Sequence, residues 1–210
     1  VLGHDAGFYV FWVPVLASLI TFALIGAFLV FTLATAGYAA TGALRWGKGR
    51  IDAQDVTRVH LGGLLALFFF MLGARLWLSR YLLLLDGTSA VSGIFGFTDA
   101  EARLPALQTL TIICVMGGVG VFWGAWKNRV TPIVTSSIAV VLSMIVIGQF
   151  YPAMIQSFRV EPNELDREEP FIEYNIDYTR LGFGLEEMQR RPFSFEAGQA
   201  IDWPEVGRQF

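Results

Sequence analysis

Two arginines, Arg75 and Arg80, sit inside an apolar run, residues 61–85, that holds no other charged side chain. An ionised group in hydrocarbon is costly, so it either acts on a ligand or reaches water. At 1.5 Å per residue, Arg75 lies about 22 Å along a helix from His60, in the far third of a hydrocarbon core about 30 Å thick. The functional reading is a site for an anion or a lipid headgroup, or a buried pair with a carboxylate beyond the run, such as Asp99. The plainer reading is a long stem that snorkels to the interface. Arg80 snorkels more easily and lies three residues from Trp77, within reach of a cation–π contact. His60 opens the same run. It has the chemistry to bind a haem or pigment metal or to titrate near neutral pH, but it lacks a partner ligand, and a headgroup or capping contact is the plainer role.

Other residue types narrow the chemistry further. The third run carries Gly117, Gly118, Gly120 and Gly124, and Gly120–Gly124 is a small-xxx-small pair. Such residues let helix backbones approach, either within this bundle or against another subunit. Glu161, Glu164, Asp166, Glu168 and Glu169 form an acidic run without calcium-loop spacing, which reads as a solvated surface. Cys114 is the sole cysteine and lies in an apolar run, so it reads as a small buried residue. No zinc-protease helix, P-loop, nucleophile elbow or dinucleotide motif occurs. No Asp or Glu falls within any apolar run, which argues against ion-coupled transport through these runs alone.

The elements that must position these residues are four apolar runs, at about 11–38, 61–85, 104–126 and 130–155. Each exceeds the roughly 20 residues that cross a bilayer. None alternates with period two, so the expectation is an all-α integral membrane protein with four transmembrane helices rather than a barrel. Charged residues make up only 16% of the chain, against about 25% in soluble domains. Residues 1–157 form the membrane region, with 9 basic and 6 acidic residues. Residues 158–210 hold 6 basic and 12 acidic residues and read as the start of an acidic extracytoplasmic region. That balance argues against nucleic-acid binding.

Loop charges orient the helices. Arg45, Lys48, Arg50 and Arg58 lie between the first two runs, and Lys127 and Arg129 between the last two. By the positive-inside rule both connections are cytoplasmic, which puts the N-terminus, the 86–103 loop and the tail outside. Phe8, Tyr9, Trp12, Trp77, Tyr81 and Tyr151 then fall at the outer interface. Tyr38, Trp46, Trp123 and Trp126 fall at the inner one. The 37–49 stretch reads as a short loop, Asp52 and Asp55 as residues that cap or open the second helix, and Lys127–Arg129 as a tight hairpin link. Thr98 and Glu101 have capping-box spacing, which predicts a short surface helix running toward Pro105. In the tail, Pro170 suits a first helical position. Phe171, Tyr174, Tyr178 and Leu181 recur at helical spacing, with Gly182 and Gly184 to end the helix.

Several segments together are similar to a known family: Phe8-Tyr9-Val10-Phe11, Ala74-Arg75-Leu76-Trp77-Leu78-Ser79-Arg80-Tyr81, Gly96-Phe97-Thr98-Asp99 with Leu104-Pro105-Ala106-Leu107, Tyr151-Pro152-Ala153, and Val160-Glu161-Pro162-Asn163-Glu164 through Asn175-Ile176 and Thr179-Arg180. They resemble uncharacterised protein family 0182, large bacterial integral membrane proteins, in order and over nearly the whole chain. Leu181-Gly182-Phe183-Gly184-Leu185 departs slightly from the expected alanine-aromatic-glycine-leucine pattern. The resemblance implies a bacterial inner-membrane location and a longer parent with further spans and a large extracytoplasmic domain. The start at Val1, without a basic n-region or cleavage site, leads to the same expectation of an internal segment. The family lends no activity. The expected role is therefore non-enzymatic and without cofactor: a membrane anchor or scaffold, in contact with the bilayer and other membrane subunits. The alternatives are a part in lipid or anion transport, using Arg75, or in envelope biogenesis, and a pigment- or haem-associated role through His60. Gly117, Gly120, Gly124, Phe171, Tyr174 and Tyr178 are the candidate packing or docking residues.

Overall fold

In a computed structural model, residues 5–47, 50–85, 87 and 94–185 are described. His4, Lys48, most of the Gly/Ser-rich connection before Ile94 and the tail after Leu185 lie outside them. Four helices are long and apolar enough to cross a membrane: α1 (Phe8–Ala40), α2 (Asp55–Leu82), α3 (Asp99–Trp126) and α4 (Val130–Gly182). The chain forms two compact units, Val1–Glu173 and Tyr174–Phe210.

The connections follow from local chemistry. After α1, Gly42 adopts a left-handed φ of 72°, a conformation cheap only for glycine. The expected plain loop then proves to be a hairpin, β1 (Leu44–Gly47) against β2 (Arg50–Ala53), with Leu44 opposite Ala53 and Trp46 opposite Ile51. Aromatic and β-branched residues at those positions favour strand over coil. The link from α3 to α4 is as tight as its length predicts. Asn128 takes a left-handed φ of 54°. The Arg129 amide bonds the Gly124 carbonyl at 2.9 Å, and the Asn128 amide reaches Ala125 at 3.4 Å. This is a Schellman closure, with asparagine in the place glycine usually takes.

Prolines shape the helices more than the sequence suggests. Among the described residues four wide turns occur, at Phe8–Trp12, Asp99–Arg103, Val146–Phe150 and Gln156–Val160. Each ends two residues before a proline: Pro14, Pro105, Pro152 and Pro162. In every case the residue just before the proline donates its amide five residues back: Val13 to Phe8, Leu104 to Asp99, Tyr151 to Val146, Glu161 to Gln156. A proline ring crowds the carbonyl four residues earlier and cannot bond it. Widening one turn relieves the crowding without ending the helix.

That geometry corrects three expectations. The short surface helix predicted from Thr98 is the first turns of α3, continuous through Pro105. The helix of the fourth run does not stop near residue 155, because α4 continues through Pro152 and Pro162. Pro170 is inside a helix rather than at its start. Gly182 and Gly184 do end it, with Gly184 at a φ of 65°.

Helices pack in sequence order, α1 on α2, α2 on α3 and α3 on α4. Tyr9, Val13, Ala17, Leu78 and Tyr81 form the core between α1 and α2, and Ala66, Phe69, Cys114, Val121 and Val140 the one joining α2, α3 and α4. Glycine permits the second. A Cβ on Gly62 would overlap that of Ala125, and one on Gly120 would overlap Ser136. One on Gly117 would lie 2.5 Å from Val140, and one on Gly124 2.9 Å from Ile133. Lipid tails are as apolar as these side chains, so close van der Waals packing, not water exclusion, holds such helices together. The outer faces carry Phe11, Phe22, Leu33 and Met116, each at least two-thirds exposed. A surface of that kind suits hydrocarbon and not water.

Candidate functional site

Arg75 and Arg80 lie toward the C-terminal end of α2, which packs against the start of α1. The Arg80 guanidinium lies over the Trp77 ring, 3.3 Å from its centroid, and 4.6 Å from that of Tyr81. Its Nη2 donates to the Tyr81 hydroxyl at 2.6 Å, while its Nε is buried without a hydrogen-bond partner. Phe8, Tyr9 and Tyr81 meet edge-on with centroids 5.3–6.1 Å apart. The i,i+3 spacing of Trp77 and Arg80 thus places the cation on the ring, an arrangement that stabilises a partly desolvated charge.

Arg75 lies about 10 Å before the end of α2. Its Nη1 donates to the Ser79 hydroxyl at 2.7 Å and its Nε to the Thr21 hydroxyl of α1 at 3.3 Å. Beside it is a cleft of about 270 Å³ lined by Ala17, Ser18, Thr21, Phe22, Ile25 and Arg75. Pairing with Asp99 is corrected. Asp99 is fully buried, bonds the Gly96 amide at 3.3 Å and forms an ion pair with Arg103 at 2.9 Å. Those two are one helical turn apart on α3, the geometry in which such pairs meet.

A polar clasp joins the start of α3 to α4. Thr98, 1% exposed, donates its hydroxyl to Gln156 rather than capping a helix. Glu168, 3% exposed, accepts the Phe97 amide at 3.1 Å and 3.3 Å through its two oxygens. Arg167 stands over the Phe97 ring at 5.3 Å, and Phe171 meets Phe95 edge-on at 6.1 Å. Glu168 therefore does not belong to a solvated acidic surface. It lies one turn before Phe171, and that i,i+3 spacing was the available signal that it shares the covered face. Tyr174 and Tyr178, in the second unit, are about two-thirds exposed.

At the opposite end the first two helices meet through a tyrosine and a histidine. Tyr38 and His60 bond through the Tyr38 hydroxyl and His60 Nδ1 at 2.9 Å, with rings perpendicular. Arg58 donates to the Ala125 carbonyl at 2.8 Å and pairs with the exposed Asp55 at 3.0 Å. Asp55 begins α2 without a side-chain cap; Gln54 precedes it. Among the described residues no cluster of three His, Cys, Asp or Glu side chains could hold a metal. Gly117, Gly120 and Gly124 face Val140, Ser136 and Ile133 of α4 within the chain.

The sequence pattern of an uncharacterised protein family, UPF0182, matches residues 1–206. The chain is 35% identical over 205 residues to a UPF0182 protein of Geobacter sulfurreducens, covering 93% of this chain and 22% of that protein. It is 36% identical over 199 residues to one from Trichlorobacter lovleyi, with 93% and 22% covered. A Rhodococcus jostii relative is 34% identical over 189 residues, with 87% and 19% covered. The chain spans about a fifth of the length of these curated relatives. No solved structure matches it.

Proposed function

This chain belongs to the uncharacterised protein family UPF0182, and we propose that it is a non-enzymatic membrane anchor and scaffold that holds a polar helical extension in fixed register on its transmembrane bundle. The observation that carries this reading is the buried clasp. Glu168 accepts the amide of Phe97, 71 residues earlier in the chain. A buried carboxylate with a satisfied partner is costly to detach, because opening leaves a charged group and an amide unpaired. The clasp therefore resists swinging of α4, between Gln156 and Glu173, away from the start of α3. Of the buried polar residues, Thr98 and Glu168 both join the start of α3 to α4, as a mount requires.

The orientation proposed with this role puts the N-terminus and the polar end of α4 on the extracytoplasmic side of a bacterial inner membrane. Basic residues at the Arg45–Arg58 and Lys127–Arg129 connections support it. Association with other membrane subunits belongs to the same proposal.

Paired spin labels test the mount. One replaces Leu165 on α4, 82% exposed, and one Ile112 on α3, 61% exposed. In the full-length protein in nanodiscs, a narrow distance distribution that broadens in Glu168→Ala supports the reading. A broad distribution in the unmodified protein overturns it. For sidedness, a cysteine at Leu165 should react with a membrane-impermeant maleimide in intact spheroplasts. A cysteine at exposed Asp55 should react only after lysis.

A further inference from the structure

The cations of the described helices differ in what answers their charge. Arg103 has the Asp99 carboxylate, Arg58 has Asp55 and the Ala125 carbonyl, and Arg80 has two aromatic faces. Arg75 has two hydroxyls and, among the described residues, no carboxylate within ion-pair distance. Both hydroxyl protons are already given to backbone carbonyls, that of Thr21 to Ala17 and that of Ser79 to Arg75 itself. Their lone pairs are thus turned to the guanidinium and fix its plane. Two of its five N–H donors are used, and its positive charge stays uncompensated beside hydrocarbon.

We infer that the α1–α2 cleft at Arg75 binds a phosphate group, as carried by a phospholipid headgroup or by free phosphate. A guanidinium fork matches phosphate oxygens two at a time, and the remaining donors suffice for that. The cleft has room for the group at about 270 Å³. Its walls suit a lipid: Phe22 and Ile25 are 75% and 52% exposed and continue the apolar surface of α1 below the cation. Ser18 and Thr21 line the polar side. Drawing a phosphate down to Arg75 neutralises the intramembrane charge without the side chain leaving Thr21.

The test uses the full-length protein, stripped of lipid in detergent and analysed by native mass spectrometry. One arm adds phosphatidylglycerol and the other inorganic phosphate. The expected result is one retained phosphate-bearing molecule in either arm, with retention falling about tenfold or more in Arg75→Gln, as loss of charge-assisted bonds requires. Arg75→Lys, which keeps the charge without the fork, should fall between. Thr21→Val leaves the cation in place and frees its plane, so it should weaken retention several-fold even if Arg75→Gln does not fold. The arm that responds identifies the source of the phosphate. Retention equal in all four proteins, or absent in both arms, overturns the inference.

Discussion

The two ends of the bundle are built differently. At the Tyr38–His60 end, backbones touch: Gly62 admits Ala125, Gly124 admits Ile133, and Arg58 bonds a main-chain carbonyl. At the Tyr9–Tyr81 end, helices meet through polar and aromatic side chains: Tyr9 on Tyr81, Thr98 on Gln156, Glu168 on the Phe97 amide. The first end is held by shape, the second by directional bonds. Shape-based contacts fail when volume is added, whereas directional ones fail when a single partner is removed. The difference suits a bundle that is fixed at one end and carries a polar extension at the other.

That contrast can be broken at several points. The largest effect is expected for Gly62→Leu, whose side chain has no space beside Ala125. It should lower stability by about 3 kcal/mol, the upper part of the overpacking range, read as an early thermal melt in detergent. Gly148→Ala is its control, because the added Cβ would meet only the tip of Leu110 at 3.2 Å, and a change within about 0.5 kcal/mol is expected for so yielding a contact. At the other end, Thr98→Val keeps the volume and removes the bond to Gln156. About 1 to 2 kcal/mol should be lost, since the glutamine amide is left half-satisfied. Tyr38→Phe removes a bond at a partly exposed pair and should cost about 0.5 to 1 kcal/mol. The smallest effect is for Asp55→Asn. Its carboxylate is 89% exposed, and such pairs contribute well under about 1 kcal/mol, less in high salt. Were Asp55→Asn to match Thr98→Val, the distinction between the ends would fail.

Much of this was legible in the residues. Run length alone gives the four helices, and the spacing of Trp77 and Arg80 gives the cation–π contact. The brevity of the Lys127–Arg129 link gives the tight turn, which Asn128 completes with its left-handed φ. The helix limits were less legible, because Pro105 and Pro170 read as boundaries. A proline's ring can be accommodated by one wide turn, and sequence spacing does not reveal whether a helix widens or stops. The clasp was legible only in the i,i+3 spacing of Glu168 and Phe171. Thr98 and Gln156 are 58 residues apart, and Phe97 and Glu168 are 71 apart. Glu168 stands in an acidic run whose composition argues for solvent, and only the fold removes it from water. Arg75 was visible as an anomaly, but its hydroxyl partners on α1 and α2 depend on helix pairing.

The clasp is the centre of the account, and amide hydrogen exchange at Phe97 tests it most directly. The measurement compares the full-length protein in nanodiscs with its Glu168→Ala variant. Slow exchange at Phe97 is predicted in the unmodified protein, rising about tenfold or more in the variant while α2 stays protected, as loss of a buried bond of roughly 1.4 kcal/mol or more requires. Exchange at Phe97 that is fast in both proteins, or equally slow in both, would contradict it.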